Sequence, residues 1–348
     1  LLARGFEPKF QFLCSLKILL GSHHFFPSIG GIETVSDLLA REFVKLGHEV
    51  RVITQTPGAG DFPFRVIRRP GPFELLRHVA WCDVFLQNNI SLRTLWPLLF
   101  VRRPLFVAHQ TWITNANGTI GWQHRLKLFV LRFAKSFAIS DAIAEQLPTT
   151  AVTIGNPYND EIFKDSHFGD RTRDLICVGR LVSDKGVDVL IDALSILRES
   201  GINARLTVAG DGPERAGLER QVAGLGLQSQ VEFIGNQSSR QLAEILNRHR
   251  ILVVPSRWRE PFGIVALEAI ACGCVVVGSG EGGLPEAIGP CGFTFPNGDA
   301  RALAKILEQL LKDPAQCEVL QRSAAAHLTR FRQRQVANIY LEAMKTAR

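Results

Sequence analysis

Two glutamates bracket the stretch "EPFGIVALE" at positions 260–268. Glu260 precedes Pro261, which favours an extended or turn conformation, so a helix is expected to begin near Phe262 or Gly263. Glu268 then falls one to two turns inside the helix "IVALEAIACG", which is apolar nearly all round. A buried, unpaired carboxylate is costly. Glu268 therefore either meets an internal cation or faces a cleft and binds hydroxyl groups. Upstream, "CVGRLVSDKGVDVL" places Arg180 at the end of an apolar run and Lys185 five positions later, before a helical pattern. Two cations at a helix mouth suit a diphosphate: arginine grips oxygens bidentately and lysine adds a point charge. An ordinary solvated loop would carry the same residues.

Other candidates also follow strand-like runs. "PSIGGIET" sets Gly30 and Gly31 before the first long helix, where free N–H groups could meet an anion or the chain could simply turn tightly. "LTVAGDGPE" holds Gly210, Asp211 and Gly212 in a pattern that a turn explains. It is neither a Walker A loop nor a full dinucleotide fingerprint. His109 closes "PLFVAH" and is expected at a strand's carboxyl end facing a cleft, as are His23 and His24 after the first strand. There is no H-E-x-x-H, no clustered His/Cys set and no D-x-D at a strand end, so no metal is expected.

The elements that must position these groups alternate along the chain. Strand-like runs in "KILLGSHHF", "EVRVITQT", "CDVFLQNN", "PLFVAHQT", "SFAIS", "DLICVG", "ARLTVAG", "VEFIG", "ILVVPS" and "CVVVGS" alternate with helix-period segments. Ser238 and Gln241 form a capping-box pattern. This grammar predicts α/β architecture, with two doubly wound, Rossmann-like domains facing across a cleft. The polar stretch 157–173 reads as the linker. It divides the chain into 1–162 and 163–330, with a final helix in 331–348. Ligands bind at the carboxyl ends of strands in such sheets, which directs attention to the cleft.

Composition narrows the class. The 348 residues are 46% hydrophobic and 21% charged, enough for two cores. The seven cysteines (14, 82, 177, 272, 274, 291, 317) are scattered, odd in number and mostly in apolar runs, which favours a reducing compartment. The apolar run near the N-terminus is too short to span a bilayer and lacks a cleavage pattern, so a cytoplasmic protein is expected. The net charge of +7 is uneven. From Val84 to Ser140 there is no acid, while Arg93, Arg102, Arg103, Arg125, Lys127, Arg132 and Lys135 fall in that window. Within 120–137, Trp122, Phe129 and Phe133 interleave with the cations. That pattern fits either a helix lying on an anionic membrane or a core helix with a basic outer face. No nucleic-acid motif accompanies the charge.

Taken in order, "FPSIGGIET", "GNPYNDEIF", "GRLVSDKGVDVLIDAL", "VAGDGPER" and "EPFGIVALEAIACGCVVVGSGEGGLPE" resemble the family-4 retaining glycosyltransferases of the GT-B fold, and the resemblance covers nearly the whole chain. It implies a nucleotide-sugar donor, carrying UDP or GDP, bound by the second domain. Arg180 and Lys185 would hold its diphosphate, and Gly30, Gly31 and Gly210 would let backbone approach it. Glu268 would take the ribose hydroxyls. Glu260 would take the sugar, helped by the backbone near Phe262, Gly263 and Ile264, and His109 would lie near the sugar and the attacking hydroxyl. It further implies a glycan or lipid-linked acceptor, no cofactor, retention of anomeric configuration, and a last helix that returns to the first domain. A GT-B epimerase, a non-catalytic sugar-nucleotide binder and a two-domain dehydrogenase are the rival readings. The last would need a nicotinamide fingerprint that this sequence lacks.

Overall fold

The computed structural model describes residues 15–28, 30–113, 121–166 and 171–346. Two parallel sheets organise it. The first contains β1 (Lys17–Ser22), β2 (Glu49–Thr54), β3 (Arg65–Arg68), β4 (Val84–Asn88), β5 (Leu105–His109), β6 (Lys135–Ala138) and β7 (Ala151–Thr153), in the order β3-β2-β1-β4-β5-β6-β7. The second contains β8 (Arg173–Val178), β9 (Leu206–Ala209), β10 (Val231–Gly235), β11 (His249–Val254), β12 (Val275–Ser279) and β13 (Gly292–Phe295), in the order β10-β9-β8-β11-β12-β13. Chain order reverses between β1 and β4, and again between β8 and β11. These are the switch points where doubly wound sheets open a crevice at their carboxyl ends.

The period-2 alternation of strands sorts each sheet's side chains onto two faces. In the first sheet, Ile18, Leu20, Val52, Leu86 and Phe106 pack under the helix Gly31–Lys45. Leu19, Ile53, Phe85 and Val107 pack on the opposite side with Leu75 and Val79 of the helix Pro72–Trp81. The second sheet repeats the scheme: Leu175, Val208, Val253 and Val277 face the helices Val187–Glu199 and Ala300–Lys312. Ile176, Leu252 and Val276 face the helix Ile264–Ala271. Each fully buried aliphatic side chain contributes about 1.5–3 kcal/mol, so the two faces of each sheet supply most of the stabilisation.

The last helix, Gln333–Lys345, leaves the second sheet and docks on the first. Val336, Ala337, Tyr340, Leu341 and Met344 bury into the first domain's core, and Tyr340 meets Phe137 edge-on at 4.8 Å. The other large interdomain core runs from Ala138 and Ile139 through Tyr158 to Phe262, Leu284 and Phe331. The helix meant to start near Phe262 or Gly263 begins at Ile264 with Gly263 as its N-cap. The Ser238–Gln241 capping box is formed. All six described cysteines are buried free thiols, and Cys14 lies outside the described residues. Among the described residues, no helix is long and apolar enough to cross a membrane.

Candidate active site

The site in the second domain begins with close backbone packing at the ends of β8, β9 and β11. A Cβ on Gly210, whose φ is 143°, would stand 1.9 Å from the Gly179 carbonyl oxygen. Gly186, at φ 64°, would bring a Cβ within 2.1 Å of the Pro255 carbonyl. Only glycine fits either place. The result is a floor of bare backbone between the loop 179–186 and the segment leaving β11.

Arg180 projects from this floor into solvent, with no side-chain hydrogen bond or ion pair among the described residues. Lys185 ends a short 3-10 turn, Ser183–Lys185, and its Nζ donates to Oε1 of Glu260 at 2.5 Å. The Ser256 hydroxyl donates to the same oxygen at 2.6 Å, and Ser256 is wholly buried. Glu260 is only 8% exposed. A buried carboxylate that accepts two hydrogen bonds, one of them charge-assisted, is held in one orientation. Sequence reasoning assigned Lys185 to a phosphate and Glu260 to a sugar separately; the structure joins them. It also missed Ser256 and Gly186. Their signals were the strand-end position of "PS" and the K-G pair, and neither stands out from ordinary loop residues.

Gly282, at φ 87°, holds the loop opposite, and its Cβ would lie 2.3 Å from the Glu260 carbonyl. Contacts from the first domain fix the same segment. Trp112 Nε1 donates to the Arg259 carbonyl at 2.9 Å, under the Arg259 guanidinium. Ser140 Oγ donates to the Pro261 carbonyl at 2.8 Å, and the Asp141 N–H donates to Glu286 at 2.8 Å. Glu260 is therefore positioned by both halves of the chain.

Phe262 is a core side chain whose ring lies tilted against that of Phe331 at 5.6 Å, so only its backbone is offered to a ligand. Gly263 enters the helix with φ 99°, and a Cβ there would strike Leu284 at 2.5 Å. Ile264 spans both cores and lies 3.6 Å from the place a Cβ on Gly31 would take, so the N-termini of two helices from different domains meet here. Gly30 is extended, at φ −178°, a conformation open to any residue. What crowds it is the Glu33 carboxylate, which accepts from Ser28.

Glu268 sits one helical turn beyond Ile264, partly exposed, with no hydrogen-bond partner among the described residues. Burial of its surroundings pushes its carboxyl up to about 7. Among the described residues, none supplies the internal cation that one reading of the sequence offered. His109 lies deeper than Glu268. It stands at the end of β5, but its ring is 1% exposed, lies 3.3 Å from the Ser136 hydroxyl, and is held neutral by burial, with a pKa of about 4. Leu105 and Val107, on the same face of β5 by alternation, pack into the core away from the last helix. The structure brings Lys185 and Glu260 into contact and packs Gly31 against Ile264, but leaves His109 outside the group.

Residues 159–327 match the family described as Glycosyl transferases group 1. Over 158 residues the chain is 37% identical to the glycogen synthase of Mycobacterium tuberculosis, covering 45% of this chain and 38% of that one. The chain thus spans well under half the length of the first curated relatives it matches. Similarity to N-acetyl-alpha-D-glucosaminyl L-malate synthase of Bacillus anthracis is lower, at 24%, but extends over 83% of this chain and 86% of that one. Among solved structures, Anabaena HepE in complex with UDP and glucose superposes with a TM-score of 0.80 at 21% identity, over 95% of this chain and all of that one. The second domain thus carries a sequence match to the group 1 glycosyltransferases, and the chain as a whole shares the two-sheet architecture of the GT-B fold.

Proposed function

We propose that the protein transfers a sugar from a nucleotide-sugar donor, carrying UDP or GDP, to a hydroxyl of a glycan or lipid-linked acceptor, with retention of anomeric configuration and without a required metal. The observation that carries this reading is the arrangement around Lys185 and Glu260. Two cations and a pinned carboxylate surround a bare-backbone floor at a sheet's switch point, and the partnerless Glu268 lies one helical turn beyond Ile264. In transfer, the bond between the anomeric carbon and the diphosphate oxygen breaks, and the nucleoside diphosphate leaves with the electron pair. Arg180 and Lys185 stabilise that developing charge, which is the role a metal would otherwise fill. The acceptor hydroxyl forms the new bond at the same carbon and passes its proton to the departing diphosphate oxygen. Ionised Glu268 accepts from ribose hydroxyls. Glu260 binds the sugar and is not assigned as a covalent nucleophile. Gly30, Gly31 and Gly210, with the backbone of Phe262, Gly263 and Ile264, shape the approach of the phosphates.

The acceptor side supports a role in cell-surface polysaccharide, lipopolysaccharide or glycolipid synthesis at the inner face of the cytoplasmic membrane. The helix Trp122–Leu131 exposes Trp122, Leu126 and Phe129, with Phe133 just beyond, spaced 4, 3 and 4 residues apart along one face. A core helix would bury that stripe, and here only Leu131 is buried. Arg125, Arg132 and Lys135 surround it, the composition of an interfacial helix on anionic lipid. Flotation should show preference for anionic over neutral vesicles, and no preference would remove the membrane element. The reaction itself is tested with a panel of UDP-, GDP- and ADP-sugars in the absence of acceptor. Slow release of nucleotide from one of them is expected, weakened at least about tenfold by Lys185→Ala or Glu268→Ala. Rates unchanged by both substitutions would sink the assignment. Conversion of the donor without loss of nucleotide would indicate an epimerase.

A further inference from the structure

A cavity of 570 Å³ at the carboxyl ends of β1 and β4 is lined only by residues of the first domain, Ile32 beside Gly31 among them, and by none of Arg180, Lys185, Glu260 or Glu268. His23, His24, Arg93 and Lys127 line it together with Asn88, Asn89 and Trp122, and no Asp or Glu does among the described residues. Neither Arg93 nor Lys127 has a carboxylate partner among the described residues. The rings of His23 and His24 meet edge-on at 4.6 Å. Burial, then the charges of His24 and Arg93, lower the His23 pKa from its usual value. A cluster of uncompensated cations in a concave wall raises the local concentration of anions.

One more atom is unaccounted for. Asn88 is 2% exposed and its Nδ2 donates to Ser36 at 2.6 Å, but its Oδ1 is buried without a partner. An orphaned buried acceptor costs free energy unless a ligand supplies the donor. The next residue, Asn89, holds a positive φ of 53°, fixed by the bond from the Gln110 N–H to its Oδ1 at 2.7 Å. Backbone strain of this kind gathers at ligand sites.

We propose that this cavity binds a phosphate ester of a polyol, with the phosphate among Arg93, Lys127, His23 and His24 and a hydroxyl donating to Asn88 Oδ1. Resting on the transferase reading, this molecule is the acceptor. Trp122 and Lys127 belong to the exposed amphipathic helix, so a lipid headgroup and a soluble phosphate ester both have access.

The test titrates glycerol 3-phosphate onto the whole chain while following the imidazole resonances, with glycerol and sulfate as comparators. Saturable shifts are expected at His23 and His24, with the His23 pKa rising by about one unit as the anion offsets its cationic neighbours. Arg93→Gln with Lys127→Gln should weaken binding at least about tenfold, whereas Arg102→Gln with Arg103→Gln should not. The proposal is overturned by an absent response, by equal binding in the Arg93/Lys127 variant, or by sulfate binding as tightly as glycerol 3-phosphate. Phosphatidylglycerol vesicles that displace glycerol 3-phosphate, where phosphatidylcholine vesicles do not, identify the source as a lipid headgroup; no displacement identifies a soluble ester. Nucleotide release from the donor panel is scored separately. If it fails while phosphate binding persists, the transferase reading falls and the anion site stands.

Discussion

Glu268→Gln keeps the side chain's shape and removes its charge, and it should make the protein more stable while making it a poorer enzyme. The folded state raises this carboxyl from 4.5 to about 7. At about 1.4 kcal/mol per unit, a gap of that size corresponds to roughly 3 kcal/mol for ionising the group in place. Partial exposure screens some of it, so about 1–3 kcal/mol is expected. The sign follows from proton counting. Between 4.5 and about 7 the unfolded chain has released this proton and the folded chain has not, so wild-type stability falls as pH rises through that window. The glutamine variant lacks this loss. It should match the wild type near pH 4 and exceed it by the full amount at pH 8, as measured by urea unfolding at a series of pH values. Donor affinity should move the other way. In the wild type it should strengthen as pH rises through about 7, because the ionised group is the better acceptor. In the variant it should be at least about tenfold weaker at pH 8 and lose that pH dependence. A variant less stable than wild type at pH 8, or one stabilised with unchanged donor affinity, would refute the argument that this charge is kept for a ligand.

Other substitutions probe the surrounding geometry. Lys185→Ala leaves the 8% exposed Glu260 with only Ser256, and should cost about 1–3 kcal/mol in urea unfolding; adding Glu260→Ala should recover part of that loss, giving a coupling of about 1 kcal/mol or more. Gly186→Ala, which drives a methyl against the Pro255 carbonyl at a left-handed φ, should lower stability by about 1–3 kcal/mol and disturb donor binding through Lys185, read by thermal melts and nucleotide titration. His109, with its pKa lowered to about 4, should show no imidazole titration above pH 5 by NMR. Its contribution to stability is present above 6.5 and should be lost as pH falls toward 4.

The strong strands were legible because β-branched and apolar runs between turn residues have few other outcomes. β3 ("RVIR"), β7 ("AVT") and β13 ("GFTF") were not, because they are short edge strands whose pairing is supplied by a neighbour instead of their own pattern. Glu260, Glu268, Arg180 and Lys185 could be singled out by charge at apolar boundaries. That Lys185 and Glu260 touch could not, since 75 residues separate them and only the adjacency of β8 and β11 brings them together. His109 was legible as the last residue of a strand, but its burial was not, because that depends on the elements packed around β5. The stripe on the helix Trp122–Leu131 admitted two readings because the sequence gives its periodicity and not what lies against it.

The central claim is that a nucleotide sugar lies over the floor between Gly186 and Glu260. A crystal structure of the chain soaked with UDP- and GDP-sugars tests it directly. The account predicts diphosphate oxygens within about 3 Å of Arg180 and Lys185, with ribose hydroxyls at a similar distance from Glu268. A nucleotide bound elsewhere, or bound without contact to Lys185 and Glu268, would contradict it.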